Sequence, residues 1–419
     1  LSGQLHDDWL AQTVKEGVSE MNTNNRILII GAGPVGLVAA NLLVDEGIPV
    51  TLVEASPDLP RDLRASTFHP PTLDMLERFG VTDAMIAQGL ICPTWQFRDR
   101  TEGAVATFEL ARIADETNHP YRLQCEQWRL GEMLHERLKD NVLATLRFGT
   151  KAVAARQGAN GVEVDVVDAD GKTETITGAF VVGSDGIGSV VRKSMGAEFE
   201  GQTIPEIFLT ISTTFDFREA MPDVANISYI SDPEEWFVLI RTASVWRALF
   251  PVDSSLSDED VISSGRIERL LQGAHVRAEP YEICHRTAYR VHERVASHYV
   301  SGRMLIAGDA AHVNNPLGGM GLNGGIHDAF NLAEKLTAVS RGADLDTLKQ
   351  YERQRRKVAL DVVQQTTLRN RAILNTREPS ARAAYYADLR RTVADAEAHK
   401  TYLMRTSMMQ SLRDVAAMA

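Results

Sequence analysis

Residues 26–56 read RILIIGAGPVGLVAANLLVDEGIPVTLVEAS, and this stretch limits the possible folds more than any other in the chain. ILII is a short continuous apolar run closed by Gly31, the residues after it are apolar at helical spacing, and Gly47 stands where that helix has to end. PVTLVEAS contains a second apolar run. Strand, helix and strand in this order make a βαβ unit, and strands apolar throughout suit a parallel sheet covered on both faces. The first strand meets the helix at GAGPVG, which spans Gly31, Gly33, Pro34 and Gly36. Glycines there permit a tight turn, close approach of a pyrophosphate and close packing of helix on strand, while the helix N-terminus presents N–H groups to an anion. Glu54 ends the second strand about 20 residues on, where a carboxylate accepts the hydroxyls of an adenosine ribose. A glycine-rich turn alone can be only a turn. With strand, loop, helix, strand and acid in order, it points to a bound dinucleotide.

An acid at this place disfavours a 2′-phosphate, which leaves FAD and NAD. Residues 304–336, MLIAGDAAHVNNPLGGMGLNGGIHDAFNLAEKL, separate the two. MLIA repeats the buried-strand pattern; as a parallel strand beside the first unit it would place Asp309, read here as buried, in the crevice where such sheets bind ligands. A carboxylate is repelled by a pyrophosphate but accepts a hydroxyl proton from a polyol, and FAD has a ribityl chain where NAD has none. Gly318, Gly319, Gly321, Gly324 and Gly325 then let backbone pass close to a flat ring. A helix expected to begin near Leu322 to Gly325 aims its N–H groups at the ring edge that becomes anionic on reduction. The alternative is a flexible loop capping a surface helix, which loop entropy disfavours for so many glycines beside a buried strand.

Other segments fill out the organisation. PPTLDMLERFG reads as a helix, and residues 128–138 carry Leu130, Met133, Leu134 and Leu138 on one helical face. The alternation on both sides of a DG turn in GVEVDVVDADGKTETITGAFVVGSDG predicts a hairpin. Alternating segments over about 204–290 predict a second, antiparallel unit, and charged helices run from about 345 to the end. Cys92, Cys125 and Cys284 lie far apart with no CxxC spacing, so buried thiols are expected rather than a metal site or disulfides. A net charge of −12 argues against a nucleic-acid partner. No apolar run reaches the roughly 18 residues of a spanning helix, so no membrane partner is expected and the cytoplasm is the expected location. Met21 stands just ahead of the first strand, and residues 1–20 are read as an upstream extension.

Three motifs in order, GAGPVG at residues 31–36, GSDGIGSVVRK at 183–193 and GDAAHVNNPLGGMGLNGGIHDAFNLAEKL at 308–336, carry a family likeness over about residues 26–365. The chain resembles the flavin-dependent aromatic hydroxylases built like para-hydroxybenzoate hydroxylase. The resemblance implies an α/β fold: a Rossmann-like FAD-binding domain, an antiparallel β-sheet substrate domain and C-terminal helices. The expected division is an extension at 1–25, a discontinuous FAD-binding domain at 26–200 and 286–340 with a β-rich insertion near 90–125, a substrate domain at 201–285 and a helical region at 341–419. The resemblance further implies that Asp309 binds the ribityl chain, that Arg64 meets the pyrophosphate side and that Gln124 lies on the cofactor. It places Asp185 and Arg192 in support of the flavin and of a passing nicotinamide, and Pro316, Gly319, Gly321, Leu322 and Asn323 along the ring. Read from the residues alone, Arg64 can equally be a surface ion pair, Gln124 a polar cap and Asp185 part of a turn.

No second βαβ unit opening on its own glycine-rich turn is read, so NADH or NADPH is expected as a transient co-substrate docking in a cleft, with Arg61, Arg64 and Arg192 as candidates for its phosphates. The absence of WxWxIP counts against flavin halogenases of the same fold. In the β-rich unit, Tyr229, Trp236, Arg241, Trp246 and Arg247 have the composition to hold a planar anionic aromatic, although sheet packing is the commoner use of such residues. His69, His285 and His312 are options for a proton shuttle; His312, beside Asp309, reads as structural, and no base is assigned. The expected activity is hydroxylation of a small phenolic or carboxylated ring by FAD, NAD(P)H and O2 through a flavin C4a-hydroperoxide, with no metal and with a homodimer left open. The competing readings are a lipid or isoprenoid oxidoreductase of the same fold and a redox-inactive flavin-binding regulator.

Overall fold

The computed structural model describes residues 25–61 and 65–418. The upstream extension and its start at Met21 therefore lie outside the described residues, as does Arg64.

The first apolar run forms the strand Ile27–Ile30 at the centre of a six-stranded sheet. Val50–Val53 pairs with it in parallel on one side, with Ile27 opposite Val50, and Ala144–Arg147 continues that side. On the other side come Phe180–Gly183 and then Met304–Ile306, also parallel, with Val181 opposite Met304. Thus the strand that leads to Asp309 lies one strand away from the strand that leads to GAGPVG. Residues of both central strands are fully buried, as continuous apolar runs require. The helix Pro34–Asp45 starts with Pro34 in its first turn, and Gly47, with φ +79°, follows its end. It packs on the 21-residue helix Met320–Ser340, and their buried faces belong to the same apolar core as the sheet.

The hairpin forms as expected from Val162–Val167 and Thr173–Gly178, turning at Gly171, and a third strand, Lys151–Gln157, completes a small sheet.

The second large sheet has eight strands. Its spine is a long antiparallel ribbon of Phe199–Thr213 and Ile283–Ala296, with Phe199 opposite Ala296 at the end nearest the first sheet. Trp246–Asp253, Phe237–Arg241 and Ile227–Ser231 follow in antiparallel order. The next pairing is parallel, Tyr229 opposite Phe97, because Thr94–Asp99 and Gly103–Glu109 join this sheet as its edge hairpin. The β-rich stretch near 90–125 thus gives two strands to the substrate-side sheet, and the sheet is not purely antiparallel. Its remaining strands, Leu90–Cys92 and Arg122–Gln124, form a three-stranded patch with Thr67–Phe68.

The C-terminal region is helical as read, with helices at Thr347–Val358, Gln365–Leu374, Pro379–Ala394, Ala396–Thr406 and Met409–Ala416. They cover the edge hairpin: Asp99 is buried there and accepts from the Tyr386 hydroxyl at 2.8 Å and from Arg382 at 3.1 Å. Cys92 and Cys125 are buried, but Cys284 is exposed, because it faces outward on the alternating Ile283–Ala296 strand.

Candidate active site

The GAGPVG turn is held by contacts that only glycines allow. Gly31 has φ +103°, and a Cβ there would stand 2.5 Å from the Ser184 carbonyl oxygen; one on Gly36 would stand 2.0 Å from the Gly31 oxygen. A Cβ on Gly33 would meet nothing within 4 Å, so this backbone faces open space. Gly33 caps the helix without a side-chain hydrogen bond, leaving first-turn N–H groups for an anion. Glu54 accepts from the Ala32 and Ser56 N–H groups, each at 2.8 Å. Each carboxylate oxygen is fixed by one backbone donor and keeps acceptor capacity for a ribose hydroxyl.

The second glycine-bearing crossing meets the first at Val35. A Cβ on Gly308 would lie 2.9 Å from the Val35 Cγ2, and one on Gly325 would lie 2.7 Å from the same atom. Asp309 sits in the short turn Gly308–Ala310 that ends the Met304–Ile306 strand. It is exposed, not buried as its apolar neighbours suggested, because the turn opens at the crevice beyond the strand ends instead of running beneath the sheet. The following helix begins at Met320, two residues earlier than expected from Leu322, with Gly319 as a left-handed N-cap at φ +67°. No side chain caps this N-terminus and no acid occupies its first turn, so its positive end is available to an anionic ring edge.

Asn323 braces the turn before that helix: it accepts from the His69 N–H at 2.9 Å and donates to the carbonyls of Thr67 at 2.9 Å and Gly319 at 2.6 Å. Its polar atoms are thus spent within the protein, and its side chain sets the loop rather than reaching outward. Gln124 is buried beside it, donating to the Thr67 hydroxyl and accepting from Ser66. The His69 Nε2 meets the Gly318 carbonyl at 2.9 Å, and burial holds the ring well below its usual pKa, so it is a neutral donor there.

Between residues 316–319 and the large sheet lies a small cavity of about 20 Å³, room for little more than a water molecule. Its walls are Pro316, Leu317, Gly318, Gly319, Thr67, Ile227, Tyr229, Val238, Ile240, Leu249 and Arg122. Tyr229 is the one expected substrate-side residue among them. Because Val238 and Ile240 face the pocket, Arg241 points to the opposite face of its strand, and Trp246 is likewise opposite to Leu249. The Trp246 indole donates to Asp216 at 3.1 Å, and Trp236, covered by the C-terminal helices, donates to Asn375 at 2.9 Å. Arg247 is buried beside Glu126, 3.5 Å away. His285 lies on the far half of the long ribbon, opposite Ser212.

A family profile described as an FAD binding domain matches residues 24–366. Para-nitrophenol 4-monooxygenase of Pseudomonas sp. (strain WBC-3) is 30% identical over 398 residues, 94% of this chain and 98% of the relative. The chain belongs to the FAD-dependent aromatic monooxygenases. Another relative is 6-hydroxy-3-succinoylpyridine 3-monooxygenase HspB of Pseudomonas putida (strain DSM 28022 / S16), 31% identical, covering 82% of this chain and 87% of the relative. Among solved structures, p-nitrophenol 4-monooxygenase PnpA from Pseudomonas putida DLL-E4 superposes with a TM-score of 0.86 at 29% identity, covering 93% of this chain and 98% of that one. FAD is accordingly the cofactor of this monooxygenase, and the two uncapped helix ends and the open backbone at Gly33 fit it.

Two arginines expected to meet nicotinamide phosphates have other work in this monooxygenase. Arg192 is buried, donates to the carbonyls of Ala310 at 2.9 Å and Ile187 at 2.7 Å, and lies 4.0 Å over the Phe199 ring. It ties the DG loop to the turn that carries Asp309. Asp185 accepts from the Ser189 hydroxyl at 2.5 Å and the Val190 N–H at 2.7 Å, shaping that loop, and burial raises its pKa. Arg61 is exposed, paired with Glu132 at 2.8 Å and stacked on Trp128.

Sequence reasoning missed two features. Asp328 is fully buried and accepts from His312 at 2.7 Å, from Arg355 at 2.6 Å and from the Gly308 N–H at 3.1 Å. Against burial, which raises its pKa, His312 and Arg355 hold the carboxyl down to about 2. His312 is therefore structural, as read. Arg122 was the other omission; it precedes Gln124 by two residues on one strand, so period-two alternation puts both on the same face.

Proposed function

We propose that this chain hydroxylates a small phenolic or carboxylated aromatic or heteroaromatic ring, with NADH or NADPH as hydride source and O2 as oxidant. The observation that carries this reading is the apolar sheet face of Ile227, Val238, Ile240 and Leu249 directly against residues 316–319, where the turn borders the expected flavin ring. The relatives, a nitrophenol and a hydroxypyridine monooxygenase, support a ring bearing a hydroxyl. Neither favours a lipid substrate or a redox-inactive role.

Bound FAD supplies the hydride acceptor and the centre that activates O2. In this reading the chain does the rest. Glu54 takes the adenosine ribose, the N-terminus of Pro34–Asp45 takes the pyrophosphate with Arg64, and Asp309 takes the ribityl hydroxyls. Asp185 and Gln124 act from behind, holding the DG loop and the Ser66–Thr67 backbone in place. The N-terminus of Met320–Ser340 stabilises negative charge on the ring edge, with Pro316, Gly319, Gly321 and Leu322 beside it. Ile227, Val238, Ile240, Leu249 and Leu317 exclude water from the reacting face, which protects the oxidant from unproductive collapse. In this reading residues 201–285 enclose the substrate together with the rest of their sheet, the ribbon strand Ile283–Ala296 and the edge hairpin Thr94–Asp99 and Gly103–Glu109.

The test is NADH and NADPH oxidation by the FAD-loaded protein against substituted phenols, benzoates and hydroxypyridines. At least one ring is expected to accelerate oxidation with consumption of O2 and formation of a product one oxygen heavier. Acceleration that yields only stoichiometric hydrogen peroxide with every ring removes the hydroxylase reading.

A further inference from the structure

We infer that Glu293 is a positioning residue for the turn at residues 315–319: it fastens that turn to the eight-stranded sheet and to the C-terminal helix Gln365–Leu374, and so keeps O2 consumption coupled to ring hydroxylation. The inference rests on the proposed hydroxylase reading and adds a residue that acts on the turn from behind. Glu293 is fully buried on the long strand Ile283–Ala296. Its Oε1 accepts from the Asn315 N–H at 3.0 Å and from the Asn315 side-chain amide. The Asn315 Oδ1 in turn accepts from the Leu317 N–H at 3.0 Å. One carboxyl oxygen thus sets the backbone of the turn as far as Leu317. The strand pairing explains the reach: Val295 is opposite His312 and Arg294 opposite Val313, so the same register carried one step further brings Glu293 level with Asn314, next to Asn315.

The far end of the turn is anchored elsewhere, by His69 at the Gly318 carbonyl and by Asn323 at the Gly319 carbonyl. Glu293 is therefore the anchor on the substrate-side sheet, and Gln365–Leu374 backs it. The Thr367 hydroxyl lies 3.1 Å from the same Oε1 and 3.1 Å from the Gln364 carbonyl, sharing its one proton between them. Asn370, on the same helical face, donates to the Leu317 carbonyl at 3.4 Å. Arg371 forks onto Glu206 of the neighbouring ribbon strand at 2.6 and 3.0 Å, which seats the helix on the sheet. A π-helical segment, Ala359–Gln364, joins this helix to Thr347–Val358. Its wider winding re-phases the rod: Tyr351 and Arg355 reach the carbonyls of Ile306 and Gly324 before it, and Thr367 and Asn370 reach the turn after it. The matched FAD-binding profile ends at residue 366, ahead of all three helix contacts. Burial raises the pKa of Glu293, and its Oε2 finds no hydrogen-bond partner among the described residues. A full charge is badly placed there, so the side chain serves as a fixed acceptor, a role that glutamine can also fill.

The experiment compares FAD-loaded wild type with Glu293→Gln, Glu293→Leu and Asn370→Leu by two readouts. The first is amide hydrogen exchange at Leu317, with the buried strand Met304–Ile306 as the reference for global opening. The second is the share of oxidised NADH or NADPH that appears as hydroxylated ring, measured with the aromatic that stimulates wild type. Coupled turnover places one atom of O2 in the ring and reduces the other to water; uncoupled turnover returns both as hydrogen peroxide. Glu293→Leu should speed Leu317 exchange by about 10-fold, the worth of one hydrogen bond, without speeding the reference strand. It should lower the hydroxylated share at least about 3-fold while the KM for the aromatic stays within about 2-fold. Glu293→Gln should match wild type on both readouts, and Asn370→Leu should change both in the direction of Glu293→Leu, by less. If Glu293→Leu does not retain FAD, Asn370→Leu and Glu293→Gln carry the comparison. Unchanged Leu317 exchange in the FAD-loaded leucine variants overturns the inference, as does a Glu293→Gln variant as uncoupled as Glu293→Leu. Faster exchange with an unaltered hydroxylated share overturns the coupling role. Wild type that hydroxylates no ring sinks the functional reading beneath it, and the exchange readout still decides whether Glu293 fixes the turn.

Discussion

Gly308 and Gly325 face one another so closely that a Cβ on Gly325 would stand 3.2 Å from the Gly308 Cα and 2.7 Å from the Val35 Cγ2. These residues join two distant glycine-bearing stretches into one crevice. Gly325→Ala should cost about 1–3 kcal/mol of stability by overpacking and lower FAD affinity with it. Gly321→Ala, whose Cβ would have only the Asn314 side chain 3.3 Å away, should fold like wild type. Equal melting temperatures and equal FAD content for Gly325→Ala and wild type would contradict the shared crevice.

Asp309→Ala tests the exposed carboxylate at the strand end. Because the residue is exposed and supports little of the core, its loss should leave the melting temperature of the apoprotein near wild type and sharply reduce flavin retained on gel filtration. Unchanged flavin content would rule out the ribityl contact.

Acid stability separates two sets of buried groups. His69 and His327 have folded pKa values below the ordinary histidine value, His327 at about 3, through burial. Each binds fewer protons when folded, so the stability they contribute is present above about pH 6.5 and is lost as pH falls toward the folded values. Asp328, held at about 2, adds a second loss as pH falls below about 4. Urea midpoints from pH 8 to pH 3 should therefore decline from about pH 6.5 downward, and His327→Gln should flatten the upper part of that decline. A flat profile above pH 4 in wild type would contradict neutral buried histidines.

Asp328→Ala should destabilise the protein by about 3–5 kcal/mol, since it strands the fully buried Arg355 guanidinium without its acid. The double substitution Asp328→Ala with Arg355→Met should recover much of that loss, as measured by urea unfolding. Additive losses in the double variant would show that the pair is not coupled.

What the sequence revealed follows the range over which each feature is encoded. The tight turn at Gly31, the acid at Glu54 and the glycines before Met320 are local spacings, readable because a turn, a strand end and a helix start each need particular residues within a few positions. The faces of the strands were less readable. Alternation separates Arg241 from Ile240 and Trp246 from Leu249 but does not say which set meets the pocket, and Trp236 and Trp246 are instead covered by Asn375 and Asp216. The pair of Asp328 with Arg355 was invisible because its meaning lies in a partner brought up by another element. Arg192 shows the converse: its motif marked it for the site, yet only the folded chain reveals its donors spent on Ala310 and Ile187.

The origin of the oxygen atom tests the central claim most directly. FAD-loaded protein, reduced nicotinamide and an aromatic that stimulates its oxidation are incubated under 18O2, and the ring product is weighed. One 18O per hydroxylated ring is the expected result; a ring oxygen drawn from water, or label confined to hydrogen peroxide, would contradict it.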